Sequence, residues 1–242
     1  MKQLKAIAKK IPGVRFLYYR CVGLALKLRS PDSIFTDIFD GNKWGGKDSV
    51  SGLGSDLDQT RVVIGELPVV CGDFGIRTIL DIPCGDFYWM KNVNFSHIDY
   101  VGADIVSDLI QKNKNAYEKE NVHFRKLDLM KDKLPKVDLI FCRDCLVHFS
   151  HKDIFLALRN ICESESTYLL TTTFTSRQKN SDIATGQWRA LNLEIAPIML
   201  PMPLRTINEQ CTEGSGAYKD KSLGLWKVAD VRACLERVRD SI

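Results

Sequence analysis

Nowhere in the 242 residues is there a run of about 18 apolar residues free of charge, which excludes a membrane-spanning helix. The nearest candidate, residues 11–28, is interrupted by Arg15 and Arg20. That break, with no small-residue cleavage site after it, also argues against a secretory leader. Histidine is scarce, at four residues, and the C-x-x-C at Cys142–Cys145 has no second pair. A zinc-type ligand set is therefore absent, and no metal is expected. The cysteines at 21, 71, 84, 142, 145, 162, 211 and 234 are scattered rather than framed, as buried thiols in a reducing cytoplasm would be. No internal repeat or low-complexity tract is present.

Acids are missing from residues 1–30, which carry Lys2, Lys5, Lys9, Lys10, Arg15, Arg20, Lys27 and Arg29. Because the whole chain is +4, the other 212 residues are net −4. The basic segment is interleaved with Ile7, Ile11, Val14, Phe16, Leu17, Tyr18 and Leu24. It suits an amphipathic helix packed with its basic face in water, or a peripheral contact with an anionic membrane. The acidic remainder shows no basic stripe with interleaved aromatics, so a nucleic-acid partner is not expected. Hydrophobic residues at 45% and charged residues at 26% are ordinary globular values.

The chain divides into a basic helical segment with a covering loop over residues 1–56 and one α/β domain over 57–242. The loop Trp44-Gly-Gly-Lys-Asp-Ser-Val-Ser-Gly-Leu-Gly-Ser55 is polar and glycine-rich. A helix is expected over 57–70, with Pro68 near its end. Short, two-sided apolar runs at 78–82, 100–104, 122–127, 137–142 and 167–174 read as strands, and 108–120 and 152–162 as helices between them. That alternation predicts a Rossmann-like, doubly wound, mostly parallel sheet. A lid over about 176–216 precedes the last apolar runs, 223–228 and the helix-like 231–238.

Open parallel sheets bind ligands at the carboxyl ends of their strands. The first strand ends in Asp81-Ile-Pro-Cys-Gly-Asp-Phe87, with Gly85 in a turn and a helix expected to start after it. The second ends at Asp104, 23 residues on, the spacing of an acid that takes a ribose diol. The third ends at Leu127-Asp128-Leu129. A dinucleotide turn wants G-x-G-x-x-G so that several amides meet a pyrophosphate. Here Pro83, Asp86 and Phe87 stand instead, and the acids repel phosphate while welcoming a cation.

With this pattern the chain resembles the class I S-adenosylmethionine-dependent methyltransferases over roughly residues 75–175. Asp81-Ile-Pro-Cys-Gly-Asp stands where that family has D-x-G-x-G-x-G, departing from it at Pro83 and Phe87. Asp104 and Asp128 match its ribose-side and adenine-side acids, and Val137-Asp-Leu-Ile-Phe-Cys-Arg-Asp-Cys-Leu-Val-His-Phe149 its fourth-strand motif. The resemblance implies a seven-stranded sheet and S-adenosylmethionine as cofactor. It implies cofactor contacts from Trp44, Asp81, Pro83, Cys84, Gly85, Asp104, Ile105, Asp128, Leu129 and Arg143. His148 is the expected general base for an O-methyl transfer or a residue that only orients its neighbours, and Asp144 its assistant or a holder of the acceptor. Trp188, Arg189, Arg205 and Glu209 are the expected acceptor contacts. The loop at 44–55 and the run Leu200–Glu209 are similar to a bacterial subgroup associated with surface polysaccharide clusters, which implies a saccharide, sugar nucleotide or phosphorylated sugar as acceptor. A nucleic-acid or protein methyltransferase and a non-catalytic cofactor-binding module are the alternatives. The oligomeric state is not legible.

Overall fold

A computed structural model describes residues 21–46 and 48–239. The packing or membrane contact expected of residues 1–20 lies outside the described residues. Seven strands form one sheet in the order β3-β2-β1-β4-β5-β7-β6. They are β1 (Thr78–Asp81), β2 (Asp99–Asp104), β3 (Val122–Lys126), β4 (Leu139–Cys142), β5 (Tyr168–Phe174), β6 (Arg205–Asn208) and β7 (Lys221–Lys227). The first five run parallel, and β7 is antiparallel to both β5 and β6. The five sequence-read strands fall where expected; β6, four residues of mixed burial, carries too weak a pattern to be read.

Successive residues in the central strands point to opposite faces, and both faces are buried. Leu80, Ile140 and Leu169 belong to the core under α4 (His151–Glu163) and α5 (Val228–Arg239). Ile79, Leu139 and Leu170 belong to the other core, against α2 (Leu57–Asp73) and α3 (Ser107–Tyr117). This is why the strands read as continuous apolar runs rather than alternating ones. Helix α4 is set by Ser150, whose hydroxyl accepts from Asp153 N–H at 3.1 Å. Its apolar stripe of Ile154, Ala157, Leu158 and Ile161 has helical spacing and is fully buried.

Three elements differ from expectation. Helix α2 continues through Pro68 to Asp73, because burial of Val70 and Cys71 offsets the hydrogen bond that proline cannot make. Helix α1 (Pro31–Asp40) was not anticipated, although Ser30 as cap and Pro31 in the first turn announce it. The helix expected after Gly85 is absent. Phe87 takes a left-handed φ of 57°, and the chain turns through it to a single 3₁₀ turn at Met90–Asn92. Burial of Phe87, Trp89 and Met90 at near-consecutive spacing holds that path, which no α-helix face accommodates.

Strand β4 is tied to β1 by Asp138. Its Oδ2 accepts from Arg77 N–H, Thr78 N–H and the Thr78 hydroxyl, each at 2.9 Å. Burial works to raise its carboxyl, but these donors outweigh it and hold the group below the ordinary 3.8. A lowered carboxyl stabilises the fold above its unfolded pKa, and that contribution is lost as pH falls through the folded value. Asp138→Ala is expected to cost about 1 kcal/mol in urea melts at pH 7, the group being mostly solvated. The difference from the parent should narrow as pH falls below 3.8 through the folded value.

Candidate active site

The carboxyl ends of β1, β2 and β4, with the turn after β3, surround a cavity with about 1110 Å³ of empty space, its open mouth included. Ile82, Leu109 and Phe141 give it an apolar floor. Asp81, Asp104 and Asp128 line it together, as do Pro83, Cys84 and Gly85 of the first turn. Ile105, Leu129, Arg143 and Trp44 complete the set expected from the sequence. Phe35 and Phe39 of α1 add a wall that the sequence reading missed.

The acids differ in how they are held. Asp81 is 2% exposed and accepts from the Tyr100 phenol at 2.5 Å. Burial pushes its carboxyl up to about 8; the Tyr100 hydrogen bond opposes the rise and the neighbouring Asp104 adds to it. Asp104 accepts from Val106 N–H at 3.0 Å and Gly85 N–H at 3.3 Å. Burial raises it to about 6, with these amides limiting the rise. Asp128 closes a turn on Met130 N–H at 2.9 Å, its other oxygen 3.3 Å from Lys131 Nζ. Asp86 does not serve as a free charge. It accepts from the Ser49 hydroxyl at 3.0 Å and Val50 N–H at 2.9 Å, clamping the covering loop over the first turn. Gly85 has φ 56°, and a Cβ there would stand 2.2 Å from Ser51 Oγ, so only glycine lets the loop close this tightly.

A second cavity opens beyond the first, lined by Trp188, Tyr218, Phe174, Gln187, Glu213 and Lys221 among others. Trp44, Ser51, Asp144 and His148 line both cavities and form the partition between them. His148 packs on Trp44 with ring centroids 5.1 Å apart. Its Nδ1 lies 2.9 Å from the Gln187 carbonyl, which can only accept, so Nδ1 carries the proton and the lone pair is on Nε2. Burial lowers His148 below 6.5, keeping the ring neutral at pH 7.

Behind the partition lies an ionic network. Arg143 donates to Glu209 Oε2 from Nη2 at 2.7 Å and from Nε at 3.2 Å, and to the Gly54 carbonyl at 2.9 Å. Lys221 Nζ stands 2.5 Å from Asp144 Oδ2 and 3.4 Å from Glu209 Oε2. Against the pull of burial, Lys221 and Arg143 hold the Asp144 carboxyl well below the usual range. Asp144 has a left-handed φ of 52°, a conformation a non-glycine residue keeps only when its surroundings impose it.

Of the four acceptor contacts expected from sequence, the structure brings one into the second cavity. Trp188 lines it. Glu209 lies fully buried beneath it in the ionic network. Arg189 is buried with Nη1 donating to the Val147 carbonyl at 3.1 Å, bracing the backbone before His148. Arg205, on β6, pairs with Asp73 at 2.8 Å and packs over Phe74, apart from both cavities. Lys221 was missed because only the antiparallel pairing of β7 sets it opposite Phe174.

Residues 79–164 match the family model described as a methyltransferase domain. A S-adenosylmethionine-dependent methyltransferase from Clostridium acetobutylicum ATCC 824 is similar in structure, with 9% identity over 69% of this chain and 91% of its own (TM-score 0.51). Mitomycin 7-O-methyltransferase is similar with 15% identity over 69% of this chain and 54% of its own (TM-score 0.50). Human N-acetylserotonin methyltransferase, solved with S-adenosylmethionine, shares 16% identity over 63% of this chain and 45% of its own (TM-score 0.46). This chain thus spans about half the length of the latter two. No curated protein sequence matches it. The sheet that contains residues 79–164 has the class I S-adenosylmethionine-dependent methyltransferase fold.

If burial governs Asp81, a carboxyl-detected NMR titration of the ligand-free protein should show it titrating near 8. Tyr100→Phe removes the hydrogen bond that opposes the rise, so the midpoint should move above 8. A midpoint near 4 in either protein would contradict the packing described.

Proposed function

We propose that the chain is a cytoplasmic methyltransferase that moves the methyl group of S-adenosylmethionine to an oxygen of a small polar acceptor. The acceptor is a saccharide, a sugar nucleotide, or a sugar phosphate or phosphoramidate, used in surface polysaccharide biosynthesis. One observation carries the reading: His148, Asp144, Trp44 and Ser51 line two cavities at once. The first cavity then holds the cofactor and the second the acceptor. The donor set fits that cofactor. Buried carboxyls at Asp81 and Asp104 favour a cationic ligand with a ribose diol, and the turn at 81–87 lacks the open amides a pyrophosphate needs. The likeness to structures named as S-adenosylmethionine-dependent and O-methyltransferases supports it further.

Bound there, S-adenosylmethionine supplies a methyl group already activated on a sulfonium. The chain's work is then alignment, exclusion of water and proton removal. His148, with its lone pair on Nε2 and its tautomer fixed by Gln187, would take the proton of the acceptor hydroxyl. Asp144, kept ionised by Lys221 and Arg143, stabilises the imidazolium that results. Trp44 and the clamped loop shield the junction from solvent.

Titration calorimetry tests the cofactor half. Asp81 keeps its proton up to about pH 8 in the free protein, whereas a bound cation favours the carboxylate. Affinity for S-adenosylmethionine should therefore rise from pH 6 to pH 8 with proton release, then level off. Asp104→Ala should weaken binding by about 1–3 kcal/mol; unchanged affinity would place the ribose elsewhere. For a hydroxyl acceptor, His148→Ala should lower kcat by about 10²–10⁴-fold at saturating S-adenosylmethionine. The acid limb of the parent's pH profile should lie below 6.5, since a neutral ring is the active form.

A peripheral contact between residues 1–30 and an anionic membrane belongs to the same proposal. At the described end of that segment Leu24 is 62% and Leu28 90% exposed, on either side of Lys27. Deleting residues 1–30 should abolish co-sedimentation with anionic vesicles, and unchanged sedimentation would count against the contact.

A further inference from the structure

The second cavity limits the charge of what enters it. Asp144 and Glu213 line it against one ammonium, that of Lys221. That ammonium is buried and already held between Asp144 and Glu209, at 2.5 and 3.4 Å. Arg143, next in line, is committed to Glu209 and the Gly54 carbonyl. Arg177 lies against the Phe174 and Tyr218 rings and pairs with Asp220 at 2.9 Å. Arg189, whose Nη1 donates to the Val147 carbonyl, and Arg205, paired with Asp73, do not line the cavity. With Asp144 and Lys221 cancelling one another, a phosphate in this cavity would meet the carboxylate of Glu213 and no unengaged cation among the lining residues, and like charges in a half-enclosed site repel strongly.

The same walls offer a good surface to an uncharged ring. Trp188 is 42% exposed, unusual for so large an aromatic, and is held edge-on by Tyr218 at 5.0 Å and Phe174 at 6.0 Å between ring centroids. Gln187, Ser51 and Asp144 supply polar groups around it. A pyranose has an apolar C–H face to lay on an aromatic wall and a rim of hydroxyls for such groups.

Resting on the reading of this cavity as the acceptor site, we propose that the part of the acceptor entering it is an uncharged polyhydroxy ring. Any phosphate or other anionic group of a larger acceptor then stays outside. Of the acceptors considered above, this selects a neutral sugar unit at the reacting end.

The test uses the full chain saturated with S-adenosylhomocysteine, monitored by tryptophan fluorescence. The probes are methyl glycosides of glucose, galactose, mannose and N-acetylglucosamine, each paired with its 6-phosphate. At least one neutral glycoside should bind, about tenfold or more tighter than its phosphate. Trp188→Ala should weaken that binding while leaving S-adenosylhomocysteine affinity unchanged, and Glu213→Lys should narrow the neutral-to-phosphate ratio. Equal or tighter binding of the phosphates overturns the inference, as does a protein that binds S-adenosylhomocysteine but no neutral glycoside. Failure to bind S-adenosylhomocysteine overturns instead the cofactor reading beneath it.

Discussion

Five parallel strands ending on one edge gather their terminal side chains into a single small space, and everything at this site follows from that convergence. Asp81 and Asp104 arrive there on neighbouring strands, on top of an apolar floor that removes them from water. Asp81 is met by a phenol and Asp104 by backbone amides. These contacts suffice to satisfy the groups and not to restore the hydration of a charge, so both carboxyls are displaced upward. A cationic ligand would relieve that cost.

On the other side of His148 the same low-dielectric edge is treated in the opposite way. Arg143, Lys221, Asp144 and Glu209 come from the ends of β4, β6 and β7 and neutralise one another at short range. A buried network of this kind is weak evidence for stability, because desolvation of each ion offsets the attraction. Its value here is positional. It fixes Asp144 in a left-handed conformation beside His148, and it leaves the neighbouring cavity without a disposable positive charge.

Closure of the first cavity depends on a polar contact made by residues far apart in the chain. Asp86, in the turn after β1, holds the loop at 49–51, and Gly85 gives that loop room to approach. The loop carries Trp44 at its near end, so the clamp indirectly sets the ring that packs against His148. Helix α1 supports the arrangement through Phe35, 6.3 Å from Trp44 and 6.1 Å from Phe149 between ring centroids.

Local pattern was enough for the parallel strands, because each is buried on both faces and its apolar run is uninterrupted. It was enough also for Asp81, Asp104 and Asp128, because a strand end followed by a turn is visible in the residues themselves. Pairing was not legible. Arg189 and Arg205 looked like acceptor contacts, yet the fold commits one to backbone carbonyls and the other to Asp73. Lys221 reaches the site through the antiparallel register of β7, and the path after Gly85 is set by the burial of Phe87, Trp89 and Met90. The amino-acid order by itself determined which residues stand at the ends of strands, since that depends on periodicity within a few neighbours. Only the tertiary structure decided which charges are cancelled and which remain to meet a ligand, since that depends on distances of a few ångströms between segments remote in the chain.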